Sequence, residues 1–170
     1  MILADGVDPP GAPSTAAVRP FRLGSLVGEL RLEIAAEALE TELGRLLDPG
    51  SALESLHWGR NYVYRAELAT GSGQLPVVVK QFREDSLGAR LARRRAGSKG
   101  ERAFTGSLAV HALGLPTPEP LLWARDDRPG GPSFYVCRHL EGTTEVRYPL
   151  RAARVGRLAE EYPGLDLGRG

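Results

Sequence analysis

Cysteine and lysine are almost missing from this chain. Cys137 is the single cysteine, so no disulfide can form within the chain, and a reducing compartment is the expected setting. Lys80 and Lys99 are the two lysines, which leaves 22 − 2 = 20 arginines among the basic residues. Excess charge of one sign is missing too: 22 basic against 21 acidic residues leave a net charge of +1, which gives no global attraction to nucleic acid or to an acidic surface. No apolar run approaches the roughly 18–20 residues a membrane helix needs. Near the N-terminus, Asp5, Asp8, Pro9, Pro10 and Pro13 interrupt any stretch like a secretory leader. His57, His111 and His139 have no partners at metal-ligand spacing. These absences point to a soluble, cytoplasmic protein, and 170 residues with 42% hydrophobic and 25% charged content suffice for one domain.

What is present is ordered along the chain. Residues 1–20 are rich in proline, glycine and small side chains and are expected to be a disordered arm. Residues 21–50 form a helical segment. Its apolar positions Leu32, Ala35, Ala36, Leu39, Leu43, Leu46 and Leu47 recur three and four apart between Gly28 and Leu47, until Asp48-Pro49-Gly50 ends the pattern. Residues 58–68 and 75–82 read as two strands joined by the turn Ala69-Thr70-Gly71-Ser72-Gly73, and Val77-Val78-Val79 suggests burial on both faces. A helix is expected from Ser98 to Leu113, closed by Gly114, with Pro116 and Pro118 preventing continuation. Strands follow at 121–125 and 133–140, then a weak helix from Pro149 to Tyr162. The fold class is α+β: a mostly antiparallel sheet with one principal helix on it, preceded by an N-terminal helix.

One pattern carries chemistry. Lys80 closes a β-branched strand in a chain that otherwise uses arginine, and about twenty residues later Glu101 shares a helix face with Phe104, Leu108 and Ala112. A lysine held near an apolar strand needs a carboxylate partner, and Glu101 is the candidate, with Glu84 and Glu119 as alternatives. Read without that partner, Lys80 is a strand-end residue extending its ammonium to solvent, and Glu101 a solvated first-turn residue favoured by the helix dipole.

With these residues the chain resembles the N-terminal lobe of the protein-kinase-like superfamily, and within it the bacterial lipopolysaccharide-core (Kdo/heptose) kinases. Val77-Val78-Val79-Lys80 is similar to the superfamily's Val-Ala-Ile-Lys strand. Leu113-Gly114-Leu115-Pro116-Thr117-Pro118-Glu119-Pro120-Leu121 looks like the Pro-Thr-Pro junction of the lipopolysaccharide-kinase branch, and Phe134 to Gly142 like the fifth strand and the hinge. The resemblance implies a five-stranded lobe over residues 51–145, with 146–170 as the start of a second lobe or a frayed C-terminal helix.

It further implies ATP as ligand, with Lys80 on the α- and β-phosphates and Glu101 anchoring Lys80. Gly59 would lie in the loop over the phosphates, Val63 and Val78 over the base, and Cys137 at the back of the pocket. Backbone groups of Arg138, His139 and Leu140 would bond adenine, and Glu145 the ribose. A sugar or lipopolysaccharide acceptor, at the inner face of the membrane, is the implied partner. Mg²⁺ would be needed for transfer. No catalytic-loop or metal-binding aspartate motif follows Gly142, Asp127 and Asp166 lying in other contexts, so the chain by itself is expected to be a truncated, inactive form. A non-catalytic nucleotide-sensing or interaction module of the same fold is the alternative. Nucleic-acid binding through the arginine-rich stretch 83–102, seven basic against three acidic residues, is a weaker one, since no aromatics are interleaved there.

Overall fold

The computed structural model describes residues 2–3, 17–31, 36–59, 61–71, 73–83, 97–115, 117–144 and 147–163. In chain order the elements are β1 (Ile2–Leu3), β2 (Arg19–Leu23), β3 (Leu26–Leu30), α1 (Ala36–Leu46), β4 (Glu54–Trp58), β5 (Asn61–Thr70) and β6 (Gly73–Phe82). Then come α2 (Lys99–Ala112), β7 (Pro120–Asp126), β8 (Ser133–Arg138), β9 (Thr143–Thr144), α3 (Arg147–Arg154) and α4 (Leu158–Glu161). They fall into two compact units, Pro13–His139 and a smaller one joining Met1–Ala12 to Leu140–Gly170. The smaller unit pairs β1 with β9 antiparallel and carries α3 and α4.

The larger unit is an antiparallel sheet of seven strands in the order β2-β3-β7-β8-β6-β5-β4. The fold is α+β, but the sheet has seven strands where the resemblance implies five, the fifth being β4, split from the strand expected over 58–68. The two extra strands, β2 and β3, come from the stretch expected to be arm and helix. Arg19–Leu23 and Leu26–Leu30 face each other across a two-residue turn, Gly24-Ser25, in which Gly24 takes φ 55°. That is the Gly-X hairpin turn, a conformation open to glycine and closed to most side chains. β3 then pairs with β7 from Leu26↔Asp126 to Leu30↔Leu122, so Leu26–Leu30 is strand, and the described helix of this segment is Ala36–Leu46. The strand expected over 58–68 is likewise two strands, β4 and β5, meeting at a turn after Trp58.

Alternation along the strands sorts the side chains. Tyr64, Ala66 and Leu68 of β5, Val77 and Val79 of β6, and Val136 of β8 all have no solvent exposure, and the ladders Tyr64↔Val79↔Val136 put them on one face. Leu43, Leu46 and Leu47, from α1 and the turn after it, complete that core, with Tyr64 Oη donating to the Leu46 carbonyl at 3.0 Å. Burial raises the Tyr64 pKa, which keeps the phenol in its donor form. Val78 lies between its buried neighbours on the opposite, half-open face, so the valine run is buried on one side and partly exposed on the other.

That second face receives α2. Its start is fixed by a capping box: the Glu101 N–H donates to Ser98 Oγ and the Ser98 N–H to Glu101 Oε2, both at 3.1 Å. Phe104 is fully buried, the Gly100 N–H donates to Ser133 Oγ at 3.2 Å, and Tyr135 Oη donates to Ser107 Oγ at 2.9 Å. Gly100 lies so close to β8 that a Cβ there would stand 2.3 Å from the Phe134 carbonyl oxygen. Helix and sheet touch backbone to backbone.

Two outcomes follow. Leu43→Ala empties a fully buried site, and chemical denaturation should show a loss of about 2–5 kcal/mol. In the β7–β8 turn, Asp126 accepts from Arg128 Nε at 2.8 Å, and this contact, foremost among several, draws its pKa down from 3.8 to about 2. A depressed carboxylate pKa stabilises the fold above about pH 4, and the contribution is lost as pH falls towards 2. Asp126→Asn should flatten that acid limb, read as unfolding midpoint against pH, by about 1 kcal/mol once the exposure of Arg128 is allowed for.

Candidate functional site

β6 presents Lys80 on the α2 side of the sheet. Val63 of β5 and Tyr135 of β8 are its direct cross-strand neighbours, and the next pair along the same face is Val78 with Cys137. Four of the residues singled out in the sequence, Val63, Val78, Lys80 and Cys137, therefore share one patch. Val63, Val78 and Lys80 are half-buried and Cys137 is buried. α2 covers the β7–β8 end of this face, through Ser133 and Tyr135, and leaves the β5–β6 part partly open. The Lys80 ammonium stands 5.2 Å from the centre of the Phe82 ring, a cation–π contact.

Glu101 is placed otherwise than as the lysine's anchor. Its carboxylate is engaged at the Ser98 N–H, and among the described residues no carboxylate lies within ion-pair distance of Lys80. Glu119 pairs with Arg138, its Oε2 3.1 Å from Nε, and Glu84 falls outside the described residues. In the stretch expected to be a hinge, the Arg138 N–H donates to the Glu119 carbonyl and the His139 N–H to the Pro76 carbonyl, each at 2.9 Å, so both donors serve the fold. Leu140 begins the smaller unit, and Glu145 lies outside the described residues. Gly59 sits in the β4–β5 turn, its N–H 3.3 Å from the Asn61 carbonyl.

The patch sets half-buried valines and the buried Cys137 beside the Lys80 ammonium, with Arg65, cross-strand from Val78, paired to Glu54 at 3.7 Å. Burial pushes the Cys137 thiol up to about 11, while its contact with Tyr135 and the charge of Lys80 pull weakly the other way. Burial likewise raises Tyr135, so the phenol stays protonated and keeps donating to α2. Such a surface offers an apolar bed for a flat ligand and one ammonium for an anionic group. The raised thiol keeps Cys137 protonated, and so a poor nucleophile, at neutral pH.

Two features escaped the sequence reading. Trp58 and Tyr62 stack across the β4–β5 turn with ring centres 4.2 Å apart and planes 18° from parallel, and the Arg83 guanidinium lies over Tyr62. The signal was present, since aromatics four apart around Gly59-Arg60 become cross-strand partners in a tight hairpin. The other is an open depression of about 440 Å³ on β2, β3 and β7, lined by Phe21, Arg22, Val27 and Trp123 among others, where Trp123 Nε1 donates to Glu29. It exists because of the β2–β3 hairpin, which the sequence did not foretell.

Among the described residues no group of three or more His, Cys, Asp or Glu side chains could hold a metal ion, and no helix is long and apolar enough to cross a membrane. No protein-family model matches the chain, and neither a curated protein nor a solved structure matches it.

The raised thiol pKa makes a direct prediction. In the native protein, iodoacetamide should alkylate Cys137 slowly at pH 8, the rate climbing about tenfold per pH unit up to pH 10, whereas the unfolded chain reacts at an ordinary thiol rate. Mass spectrometry of timed samples reads both.

Proposed function

We propose that the unit Pro13–His139 is a nucleotide-binding lobe on the plan of the kinase-like phosphotransferases, nearest in character to those that phosphorylate lipopolysaccharide core sugars. The supporting observation is the shared patch: Lys80, Val63, Val78 and Cys137 on the face of the sheet that α2 packs against. Apolar walls with one convergent cation are what a nucleotide requires, the walls taking the base and the ammonium meeting phosphate oxygens. ATP fits this donor set in part. Lys80 has no carboxylate at ion-pair distance among the described residues, so its charge is available to a phosphate. Mg²⁺, where it takes part, would be carried on the triphosphate, and the acceptor would be an anionic sugar presented at a membrane surface.

A second reading has its own observation. Glu101 is spent on the helix cap, so the Lys–Glu anchor that phosphoryl transfer in this superfamily depends on is not made. That favours a non-catalytic module of the same plan, one that binds a nucleotide or a protein without turning ATP over.

Thermal shift with ATP, with and without Mg²⁺, tests both readings on the full chain. ATP should raise the melting temperature, and Lys80→Met should weaken binding by about 10- to 100-fold, the loss expected for one charged hydrogen bond. Equal ATP affinity in wild type and Lys80→Met would overturn the nucleotide reading. Binding without ATP hydrolysis selects the non-catalytic form.

A further inference from the structure

We propose that the depression on β2, β3 and β7 is a binding site for a small zwitterion of the amino-acid class, its carboxylate held by Arg125 and its ammonium by Glu29. The register builds the floor as two cross-strand rows on the face of the sheet that α2 packs against. Arg22, Val27 and Arg125 form one row, and Pro20, Glu29 and Trp123 the next. The rows are two residues apart along each strand, about 7 Å. Val27 and Trp123 are buried and give the space of about 440 Å³ an apolar base, with Arg22, Glu29 and Arg125 in its lining. That volume lies within the range of small-molecule sites.

Charge is sorted between the rows. Arg22 Nη2 stands 3.4 Å from Asp127 Oδ2 and Arg125 Nε 3.0 Å from Asp127 Oδ1, so two guanidiniums share one carboxylate at the first row. The second row carries one acid, Glu29, and no base. Two arginines against Glu29 and Asp127 sum to zero, which suits a ligand with one charge of each sign better than a lone cation or anion. Glu29 and Arg125 are diagonal neighbours across the β3–β7 ladder, close enough for long side chains to meet. They do not pair. Glu29 Oε2 accepts from Trp123 Nε1 at 2.9 Å, and Arg125 turns its Nε to Asp127. Glu29 Oε1 and the two Arg125 Nη groups are left without a partner among the described residues. A guanidinium edge is shaped for a carboxylate, two parallel N–H donors meeting two oxygens, and a free carboxylate oxygen accepts from an ammonium. Both groups are held before a ligand arrives, Glu29 by the indole and Arg125 by Asp127, so little side-chain ordering is left to binding.

The site is distinct from the Lys80 patch and does not depend on the nucleotide reading. Lys80, Tyr135, Trp123 and Glu29 are successive neighbours in one row across the sheet, and the Tyr135 bond to Ser107 fixes α2 over the middle of it. Three strand spacings, about 14 Å, separate Lys80 from Glu29.

Isothermal titration calorimetry of the full chain tests the site with leucine, N-acetyl-leucine, leucinamide and dileucine, since the base of Val27 and Trp123 favours an apolar side chain. Leucine should bind, and each capped form, which lacks one of the two charges, should bind at least about tenfold more weakly, the loss of one charged hydrogen bond. Glu29→Gln keeps an acceptor for the Trp123 N–H, and Arg125→Lys keeps a cation for Asp127. Both should retain the wild-type circular dichroism spectrum, and each should weaken leucine by about tenfold or more. The capped ligands decide the question on the wild-type chain even where a variant loses its fold. Dileucine binding more tightly than leucine also supports the site and identifies a peptide as the source of the two charges. No saturable binding of leucine or dileucine up to about 10 mM, a capped form binding as tightly as leucine, or wild-type affinity in either folded variant would each overturn it.

Discussion

β6 meets two opposed requirements on alternate residues. Val77 and Val79 are sealed against Tyr64, Ala66 and Val136 beneath α1, while Val78 and Lys80 look towards α2 and partly to solvent. Side-chain direction along a strand has a period of two, so a slip of one residue would exchange the two sets. It would put the Lys80 ammonium among Leu43, Leu46 and Tyr64, at a cost of several kcal/mol for an unpaired buried charge, and expose valines in return. Since β6 pairs with β5 from Gly73 to Phe82 and with β8 from Val77 to Phe82, this single register also fixes theirs. Where α1 packs, where α2 packs and which residues surround Lys80 are consequences of it.

What could be read in the sequence was what is local. The valine run ending in Lys80 and the Gly114 stop of α2 depend on neighbours a few residues away, and they stand where expected. The β2–β3 hairpin could not be read so easily, because its only local mark is Gly24-Ser25, and Leu26–Leu30 runs without a breaker into a leucine-rich helical pattern. Its strand state is settled by pairing with β7, more than ninety residues on. The same divide runs through the candidate site. The resemblance groups Val63, Val78, Lys80 and Cys137, whereas strand membership and the period of two give only the face that each takes within its own strand. They say nothing of the Arg138 and His139 N–H groups, whose partners, Glu119 and Pro76, are set by how the chain returns beside the sheet.

Glu101 shows how a local rule and a long-range one compete for one side chain. Ser98-Lys99-Gly100-Glu101 has the spacing of a capping box, and the same carboxylate is the one that the superfamily resemblance assigns to Lys80. A cap contributes about 0.5–2 kcal/mol and needs only the helix itself. A half-exposed lysine–carboxylate pair contributes about 0–1 kcal/mol and must hold two long side chains in one geometry. The cap is the better bargain, and the backbone contact of Gly100 with β8 keeps the first turn of α2 where the cap is made. Lys80 is left with Phe82 and with whatever anion comes to it.

The two edges of the sheet complete the argument, since an unprotected edge strand invites another strand to add to it. β2 is guarded by Arg19, Pro20 and Arg22, two charges and a residue with no N–H to offer. β4 is guarded differently: its ladder to β5 skips at Leu56, between Ser55↔Tyr64 and His57↔Val63, and this bulge twists the edge out of register for a further strand. The bulge turns Leu56 outward, and the hairpin turn beyond it lays Trp58 on Tyr62, so this edge keeps exposed apolar surface while losing the straight row of backbone groups that β-pairing uses. A surface of that kind is ill suited to a strand.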